Sequence, residues 1–262
     1  MNKYNSHTSM HQIPVNSINA SSVQQIRARV NKTLAEGIQI DMSTEESKKL
    51  LRRHVKSKTH IAIMFIDING STEMSFSLPD DKFATIIQTF AQETSIAVTG
   101  YGGYVFKYEG DAVISLFPAE YDQAKACRNA LDCSKAVLEI IRGIVNPAFR
   151  INGLPEITIR TGLAYGEALL LLYGKNPETA HIDIVGSSIS VAAKIASTAK
   201  ANQILVGELI YNNLLLSTAA DEDPMYYRSI LREVSLDSDK WKYPSRSNTG
   251  SIYRVYEYLE TY

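Results

Sequence analysis

The alternation of apolar and polar positions along the 262-residue chain predicts a polar beginning followed by regular strands and helices. Residues 1–20 are polar, and residues 22–35 place apolar side chains at helical spacing. The continuous apolar run at 60–68 is typical of a strand that is buried on both faces. Residues 79–98 return to helical spacing, and the glycine-rich segment 100–103 ends that helix.

The rest of the pattern predicts a second set of strands and helices. We expect a hairpin at 104–117, a long helix at 122–144, and a pair of strands at 157–163 and 167–172 that turns at Gly166. A helix of small residues follows at 187–198, and three closing strands follow at 203–206, 226–234 and 251–258. The order β-α-β-β-α-β is that of a ferredoxin-like core, so the expected fold class is α+β with extra strands and helices. We expect residues 1–57 to form a polar, helical N-terminal extension and residues 58–262 to form the main domain.

Charge and composition exclude several classes of function. Lys and Arg number 27 against 28 Asp and Glu, a balance that argues against binding to nucleic acid or to a membrane surface. No apolar run reaches the roughly 20 residues of a membrane helix, and the N-terminus lacks an apolar signal core, so we expect a cytoplasmic protein. The glycine motifs of P-loop and Rossmann proteins are absent, as is any Cys/His cluster typical of zinc sites.

Two aspartates stand at sharp strand boundaries. Asp67 ends the first buried strand, in FIDINGST, and Asp111 lies in the hairpin turn, in KYEGDAVISLF. Either residue alone would be read as a helix cap or a turn residue, but the topology predicts the two on adjacent central strands. Two convergent carboxylates are a ligand set for hard divalent cations. The following turn offers backbone N–H groups and a helix N-terminus to a triphosphate: Asn69, Gly70, Ser71 and Thr72.

Four segments resemble a known family in their order and spacing, the class III nucleotidyl cyclases: FIDINGST, KYEGDAVISLF, IRTGLAYGE and DIVGSSISVAAKIASTAKANQILVGE. The resemblance covers roughly residues 58–215. It implies that the main domain, 58–262, is a catalytic domain that cyclises a nucleoside triphosphate to a 3′,5′-cyclic nucleotide and pyrophosphate. It also implies a head-to-tail homodimer with the active sites at the interface.

Carried over residue by residue, the resemblance assigns roles to individual positions. It implies that Asp67, Asp111 and the carbonyl of Ile68 bind two Mg²⁺ or Mn²⁺ ions per site. Lys107 and Asp183 match the two positions that read the base in adenylyl cyclases. A cation and a carboxylate can read the ring acceptor and the exocyclic amine of adenine.

Two catalytic positions depart from the family pattern. Ser190 stands where the family usually has an Asn that orients the ribose, and Lys194 stands where it has an Arg that stabilises charge in the transition state. The Lys ammonium is a point charge, whereas the Arg guanidinium is planar and can donate two parallel hydrogen bonds. A charged donor aimed at the transition state can contribute ~3–4 kcal/mol, so we expect the replacement of Arg by Lys to slow the reaction. Lys240 or Lys242 matches the family's phosphate-binding lysine, whereas Arg160 is expected to be structural or at the interface.

Three functions therefore stay open at the level of the sequence. The first is a cyclase that prefers ATP, favoured by Lys107 and Asp183. The second is a pyrimidine cyclase that uses UTP or CTP, because a free-standing cyclase domain resembles the bacterial antiphage cyclases that signal to a separate effector. The third is a catalytically degenerate domain that binds nucleotide or a partner chain, for which Ser190 and Lys194 argue.

Overall fold

The computed structural model describes residues 20–55, 57–176, 178–216, 223–237 and 239–260, so residues 1–19 of the predicted extension lie outside the described residues. The helices are α1 (Ala20–Glu36), α2 (Glu45–Arg52), α3 (Ser71–Ser77), α4 (Asp80–Gly100), α5 (Gln123–Ile140), α6 (Asn146–Ile151), α7 (Ser187–Thr198), α8 (Glu208–Leu215) and α9 (Pro224–Ile230). The strands are β1 (Lys58–Ile68), β2 (Tyr104–Glu109), β3 (Ala112–Pro118), β4 (Ile159–Tyr173), β5 (His181–Val185), β6 (Gln203–Gly207), β7 (Leu231–Val234) and β8 (Val255–Tyr258).

The strands form one sheet in the order β2-β3-β1-β4-β6-β8-β7, and β5 pairs with the far end of β4. The pairs β2–β3, β3–β1 and β1–β4 are antiparallel, whereas β4 and β6 are parallel. Helix α4 connects β1 to β2, and α5 leads from β3 towards β4. This is the ferredoxin-like arrangement of two split βαβ units, which confirms the predicted fold class.

Strand β1 is buried on both faces, as its continuous apolar run predicts. Its side chains alternate between two hydrophobic clusters because successive residues of a strand point to opposite faces. Met64 and Ile66 pack in the cluster that contains α1, α4 and α5 residues, whereas Ile61 and Ile63 pack with α7 residues. The sheet is therefore the middle layer, and β1 is one of its interior strands.

The prediction of two strands joined by a turn at Gly166 is wrong. Residues 159–173 form the single strand β4, and the strand that pairs with its end is β5, which the pattern did not reveal. Gly162 and Gly166 are places of close packing rather than a turn. A Cβ on Gly162 would lie 2.2 Å from the backbone N of Ala196 in α7, and one on Gly166 would lie 3.3 Å from Ser188 Cβ.

The expected strand at 226–234 is wrong in its first part. Asp223 accepts a hydrogen bond from the backbone N of Met225 at 2.8 Å, and Pro224 occupies the first turn, so the segment begins as helix α9. Only Leu231–Val234 is strand. The predicted long helix at 122–144 also extends further, because a π-helical turn at Ile141–Val145 joins α5 to α6.

The described part of the N-terminal extension packs on the main domain. Val30 of α1 and Leu51 of α2 are almost fully buried. Arg29 forms an ion pair with Glu93 of α4, whose side chain is inaccessible to solvent. A domain boundary at residue 57 stays a prediction. In the described residues, every helix is too short or too polar to cross a membrane.

Glu208, the first residue of α8, is a buried carboxylate that the sequence pattern did not single out. Its oxygens accept hydrogen bonds from Ser245 Oγ at 2.8 Å and from the backbone N of Arg246, Ser247 and Arg254 at 2.7, 3.2 and 3.0 Å. Burial acts to raise the pKa of Glu208, but these hydrogen bonds outweigh it, and the pKa lies below its ordinary value. The carboxylate thus ties the C-terminal loop to the junction of β6 and α8.

We expect Gly162→Ala to destabilise the fold by about 3 kcal/mol or more, because the new Cβ would collide with backbone atoms that have no rotamer to change. Urea unfolding followed by circular dichroism measures the loss. Gly143→Ala is the matched control, since no heavy atom lies within 4 Å of its Cβ. Equal unfolding midpoints for the two variants would contradict the close approach of α7 to β4.

We expect Glu208→Gln to cost about 2–3 kcal/mol at pH 7, because the amide cannot accept every hydrogen bond that the carboxylate accepts. The depressed pKa of Glu208 stabilises the fold above the ordinary Glu pKa of about 4.3, and this contribution is lost as the pH falls through the folded-state pKa. Unfolding measured against pH should therefore show the difference between wild type and variant shrinking in acid. A difference that stays constant would count against ionised Glu208.

Candidate functional site

The structure brings Asp67 and Asp111 to the same end of the central strands. Asp67 is the next-to-last residue of β1, and Asp111 lies in the turn between β2 and β3. Ile66 is directly opposite Val113 of β3, two residues after Asp111, so the register places the two carboxylates close together. The charge of Asp111 accordingly contributes to the raised pKa of Asp67.

Arg160 on β4 holds the Asp67 carboxylate. The two residues are directly opposite each other in the β1–β4 register. Arg160 Nε donates to Oδ1 and Nη2 donates to Oδ2, each at 2.9 Å. The pKa of Asp67 is raised because burial, the largest effect, outweighs the lowering by Arg160. The sequence suggested only a structural or interface role for Arg160, since its partner depends on a strand register that a local pattern does not contain.

The donor atoms at this end of the sheet fit a hard divalent cation. Asp67 and Asp111 offer carboxylate oxygens, and Ile68 offers a main-chain carbonyl between β1 and the following turn. In the part of the chain that the structure describes, no group of three or more His, Cys, Asp or Glu side chains converges on a point. A cation here would therefore complete its coordination with main-chain, water or substrate oxygens.

The glycine turn predicted to bind phosphate follows Asp67 directly. The backbone N of Asn69 donates to the Thr158 carbonyl at 2.8 Å, which fixes the turn to the segment before β4. Gly70 has φ +77°, in the left-handed region that favours glycine, and it precedes the first turn of α3. Ser71 and Thr72 begin that helix at the protein surface. All four predicted residues thus lie beside the carboxylate pair.

Lys107 and Asp183 contact each other although they lie on strands that are not paired. Lys107 Nζ is 2.8 Å from both carboxylate oxygens of Asp183, and the side chains are 34% and 25% exposed. The arm formed by β4 and β5 curls towards β2, so that Ile182 and Ile184 share a hydrophobic cluster with Phe106. The structure therefore joins the two predicted base-reading residues within one chain.

Helix α2 of the extension supports this pair from outside. Leu51 is buried in the same cluster as Phe106 and Ile182. Arg52 Nη2 donates to the Ala180 carbonyl at 3.2 Å, at the start of β5. The polarity of 1–57 gave no indication of this contact, because only the tertiary structure brings α2 against β2 and β5.

Ser190 and Lys194 lie on an exposed face of α7, one turn apart, as their spacing predicts. Ser190 Oγ donates to the Gly186 carbonyl at 3.3 Å. Among the described residues, no hydrogen bond or ion pair joins either side chain to Asp67 or Asp111. Within one chain, the predicted catalytic residues of α7 are therefore not in contact with the carboxylate pair.

The tail lysines are exposed on either side of a buried residue. Trp241 is buried, and its Nε1 donates to the Tyr253 carbonyl at 2.7 Å, which anchors the loop. Lys240 is 83% exposed, with Asp237 3.7 Å away, and Lys242 is also exposed. Neither is brought into contact with the carboxylate pair of its own chain among the described residues.

A cleft of about 390 Å³ opens beside the first turn of α7. It is bounded by β4, by Gly186 and Ser188 at the start of the helix, and by the C-terminal loop. Arg246 lines it and donates from Nη2 to Ser187 Oγ at 2.8 Å. The loop held by Glu208 thus adds a cation near α7 that the sequence motifs did not identify.

Comparison with known proteins gives one family. The adenylate and guanylate cyclase catalytic domain family matches residues 53–233. The chain is 27% identical over 168 residues to a cytidylate cyclase of Escherichia coli, covering 60% of this chain and 36% of that protein. It is 24% identical over 212 residues to a cytidylate cyclase of Staphylococcus aureus, covering 78% of this chain and 48% of that protein. The chain thus spans less than half the length of either relative.

A solved structure shows the same fold. The adenylyl cyclase CyaB from P. aeruginosa matches with a TM-score of 0.63 at 19% identity, over 79% of this chain and 96% of that chain. The family match covers more than half of this chain and contains both aspartates of the carboxylate pair, which confirms the resemblance that the four segments indicated. The chain therefore belongs to the adenylate and guanylate cyclase catalytic domain family.

Proposed function

We propose that this chain converts a nucleoside triphosphate to a 3′,5′-cyclic nucleotide and pyrophosphate. The observation that supports this most strongly is the placement of Asp67 beside Asp111 and the Asn69–Thr72 turn, in a chain of the cyclase family. A cytoplasmic location and a second-messenger role for the product, including one in antiphage signalling, stay predictions.

The residues near the carboxylate pair have complementary roles in this reaction. Asp67, Asp111 and the Ile68 carbonyl would hold two Mg²⁺ or Mn²⁺ ions, which when bound supply activation of the 3′-hydroxyl and neutralisation of the triphosphate. In the Asn69–Thr72 turn, the Asn69 N–H is already donated to the Thr158 carbonyl, so Gly70, Ser71 and Thr72 would donate backbone N–H groups to phosphate oxygens at the start of α3. The position of the turn directly after Asp67 lets one segment of chain bind both cation and phosphate.

The other half of the machinery lies on α7 and in the tail. Lys194 provides positive charge at the α-phosphate, and the Ser190 hydroxyl orients the ribose. Lys240 or Lys242 binds the β- and γ-phosphates from the exposed loop around Trp241. Lys offers a point charge, whereas the planar guanidinium of Arg can donate two parallel hydrogen bonds. We therefore expect a kcat below that of a cyclase with Arg at this position.

The base is read by the Lys107–Asp183 pair. An ammonium donates to a ring acceptor, and a carboxylate accepts from an exocyclic amine. Adenine and cytosine both present an acceptor nitrogen beside an amino group, whereas guanine and uracil present a ring N–H there. The pair therefore favours ATP and CTP over GTP and UTP. ATP is the first candidate on the base-reading positions, and similarity to two cytidylate cyclases makes CTP the second.

We expect the chain to form a cyclic product from ATP or CTP in preference to GTP or UTP when all four compete in the presence of Mn²⁺. Mass spectrometry identifies the products. Lys107→Ala and Asp183→Asn should each lower kcat/KM for the preferred nucleotide by about 10–100-fold, since each removes a charged hydrogen bond.

Lys49→Ala is the matched control for this panel, because Lys49 forms an exposed ion pair with Glu46 on α2. It should leave the product pattern unchanged. Absence of cyclic product from every triphosphate would favour the degenerate nucleotide-binding domain. A preference for UTP or GTP would overturn the assignment of the base-reading pair.

We also propose that the chain acts as a head-to-tail homodimer with shared sites. Asp67 and Asp111 would come from one protomer, and Ser190 and Lys194 from its partner. The exposed face of α7, which has no contact with the carboxylate pair among the described residues, supports this arrangement.

Mixing Asp67→Ala with Lys194→Ala protein should restore activity, since each heterodimer regains one intact site. Random exchange of protomers predicts about one quarter of wild-type activity. The matched control mixes Asp67→Ala with Asp111→Ala, where each site of the heterodimer retains one damaged carboxylate and no rescue is expected. Equal activity of the two mixtures, with exchange shown by tagged protomers, would contradict shared sites.

A further inference from the structure

The cleft beside α7 lies at a gap in the sheet. Strand β6 pairs with β4 as far as Leu163, and β5 pairs with β4 from Leu169 onward. Residues 164–168 therefore have β1 as their only strand neighbour among the described residues. The cleft of about 390 Å³ opens at this gap, and its volume lies in the range of roughly 300–1,000 Å³ that is usual for small-molecule sites.

Most of the wall of the cleft is apolar or aromatic. Leu209 of α8 and Val191 of α7 line it, together with Tyr243 and Tyr253 of the C-terminal loop. Apolar surface of a ligand that enters such a cleft is removed from water, which is favourable. The wall therefore suits a ligand with a ring or a short hydrocarbon body.

The charged side chains that line the cleft leave one net positive charge. Lys58 and Glu167 form an ion pair with each other at 2.8 Å. Arg246 Nη2 donates to Ser187 Oγ at 2.8 Å, and in the described part of the chain Arg246 forms no ion pair with a carboxylate. A guanidinium without a carboxylate partner can offer its remaining N–H groups to a phosphate or carboxylate.

The loop that carries Arg246 is held in place by the folded chain itself. Glu208 accepts hydrogen bonds from Ser245 Oγ at 2.8 Å and from the backbone N of Arg246 at 2.7 Å. Trp241 Nε1 donates to the Tyr253 carbonyl at 2.7 Å. A wall that is already formed loses little conformational freedom when a ligand binds, so less of the binding energy is lost in ordering the loop.

The cleft is separate from the nucleotide site proposed above. Lys58, which lines the cleft, begins β1, and Asp67 lies at the other end of that strand. At a rise of about 3.3 Å per residue, the two ends are roughly 30 Å apart. Among the described residues, those that line the cleft include none that is proposed to contact the nucleotide.

We propose that this cleft binds a small organic anion, in which a ring or a short hydrocarbon carries one phosphate or carboxylate group. The anionic group accepts hydrogen bonds from Arg246 and from the Ser187 hydroxyl, and the apolar body packs against Leu209 and Tyr243. The inference does not depend on the proposed function, because no residue of the nucleotide site takes part in it.

Calorimetric titration of the full chain with phenyl phosphate and with phenylacetate, without metal or nucleotide, tests the proposal. We expect at least one of these probes to bind with a Kd of about 1 mM or tighter, as suits a ligand of about ten heavy atoms. Inorganic phosphate lacks the ring and benzyl alcohol lacks the charge, so each should bind about tenfold more weakly or not at all. Equally tight binding of either comparison compound, or no binding of both probes, would overturn the proposal.

The single tryptophan of the chain reports whether the probe binds in the cleft. The ring of Trp241 lies 4.8 Å from that of Tyr243 and 6.3 Å from that of Tyr253, and both tyrosines line the cleft. Binding should therefore change the tryptophan fluorescence with the Kd that calorimetry gives. Calorimetric binding without a change in fluorescence would place the probe elsewhere and contradict the site.

Substitutions assign the binding to Arg246. Arg246→Gln should weaken binding of the preferred probe about tenfold or more, because it removes charged hydrogen bonds, whereas Arg246→Lys keeps the charge and should lose less. Arg232→Gln is the matched control, since Arg232 pairs with Glu257 and does not line the cleft. Lys194→Ala removes a cation proposed for the nucleotide site, and it should also bind the probe as wild type does.

Equal unfolding midpoints would show that the variants keep the fold. With the fold intact, unchanged binding by Arg246→Gln would overturn the proposal. Loss of binding in Lys194→Ala would assign the probe to the nucleotide site and overturn it as well.

Discussion

The antiparallel pairing of β1 between β3 and β4 fixes the position of the groups on which the proposed chemistry depends. Its register with β3 sets Asp67 near Asp111, and its register with β4 sets Asp67 opposite Arg160. A shift of one residue would turn Asp67 to the other face of the sheet and exchange the two hydrophobic clusters. The buried alternation of β1 opposes such a shift, because its apolar side chains fill both faces.

Two of the three carboxylates with a proposed function are paired with cations of the same chain. Asp67 pairs with Arg160, and Asp183 pairs with Lys107. Half-buried carboxylates need such partners, since an unpaired charge removed from water is strongly unfavourable. A nucleotide with its cations would therefore exchange existing ion pairs for new ones. This exchange links the affinity for substrate to the strength of pairs that already stabilise the folded chain.

Contacts outside the family motifs position the motifs themselves. Leu51 of α2 packs behind the strands that carry Lys107 and Asp183, and Glu208 holds the loop that places Arg246 beside α7. Neither contact involves a group proposed to touch substrate. The N-terminal extension and the C-terminal loop are thus part of the architecture around the site, and changes there are expected to alter substrate binding through position.

The sequence alone determined the local features of this protein. The apolar run of β1, the hairpin around Asp111, the glycine turn after Asp67 and the helical spacing of α7 were all readable, because each depends on neighbouring residues. Four spaced segments were enough to indicate the family and the fold class. The predicted topology placed Asp67 near Asp111, as the structure does. The resemblance assigned Lys107 and Asp183 to one role, and the structure shows that the two side chains are in contact.

Only the tertiary structure decided the features that depend on distant contacts. Gly166 was predicted to be a turn, yet it lies within β4, where Ser188 of α7 packs against it. The partner of Arg160 became visible only through strand register, and the burial of Leu51 only through the curl of β5 towards β2. A local pattern records what a residue prefers, whereas register and packing depend on residues that lie far away in the chain.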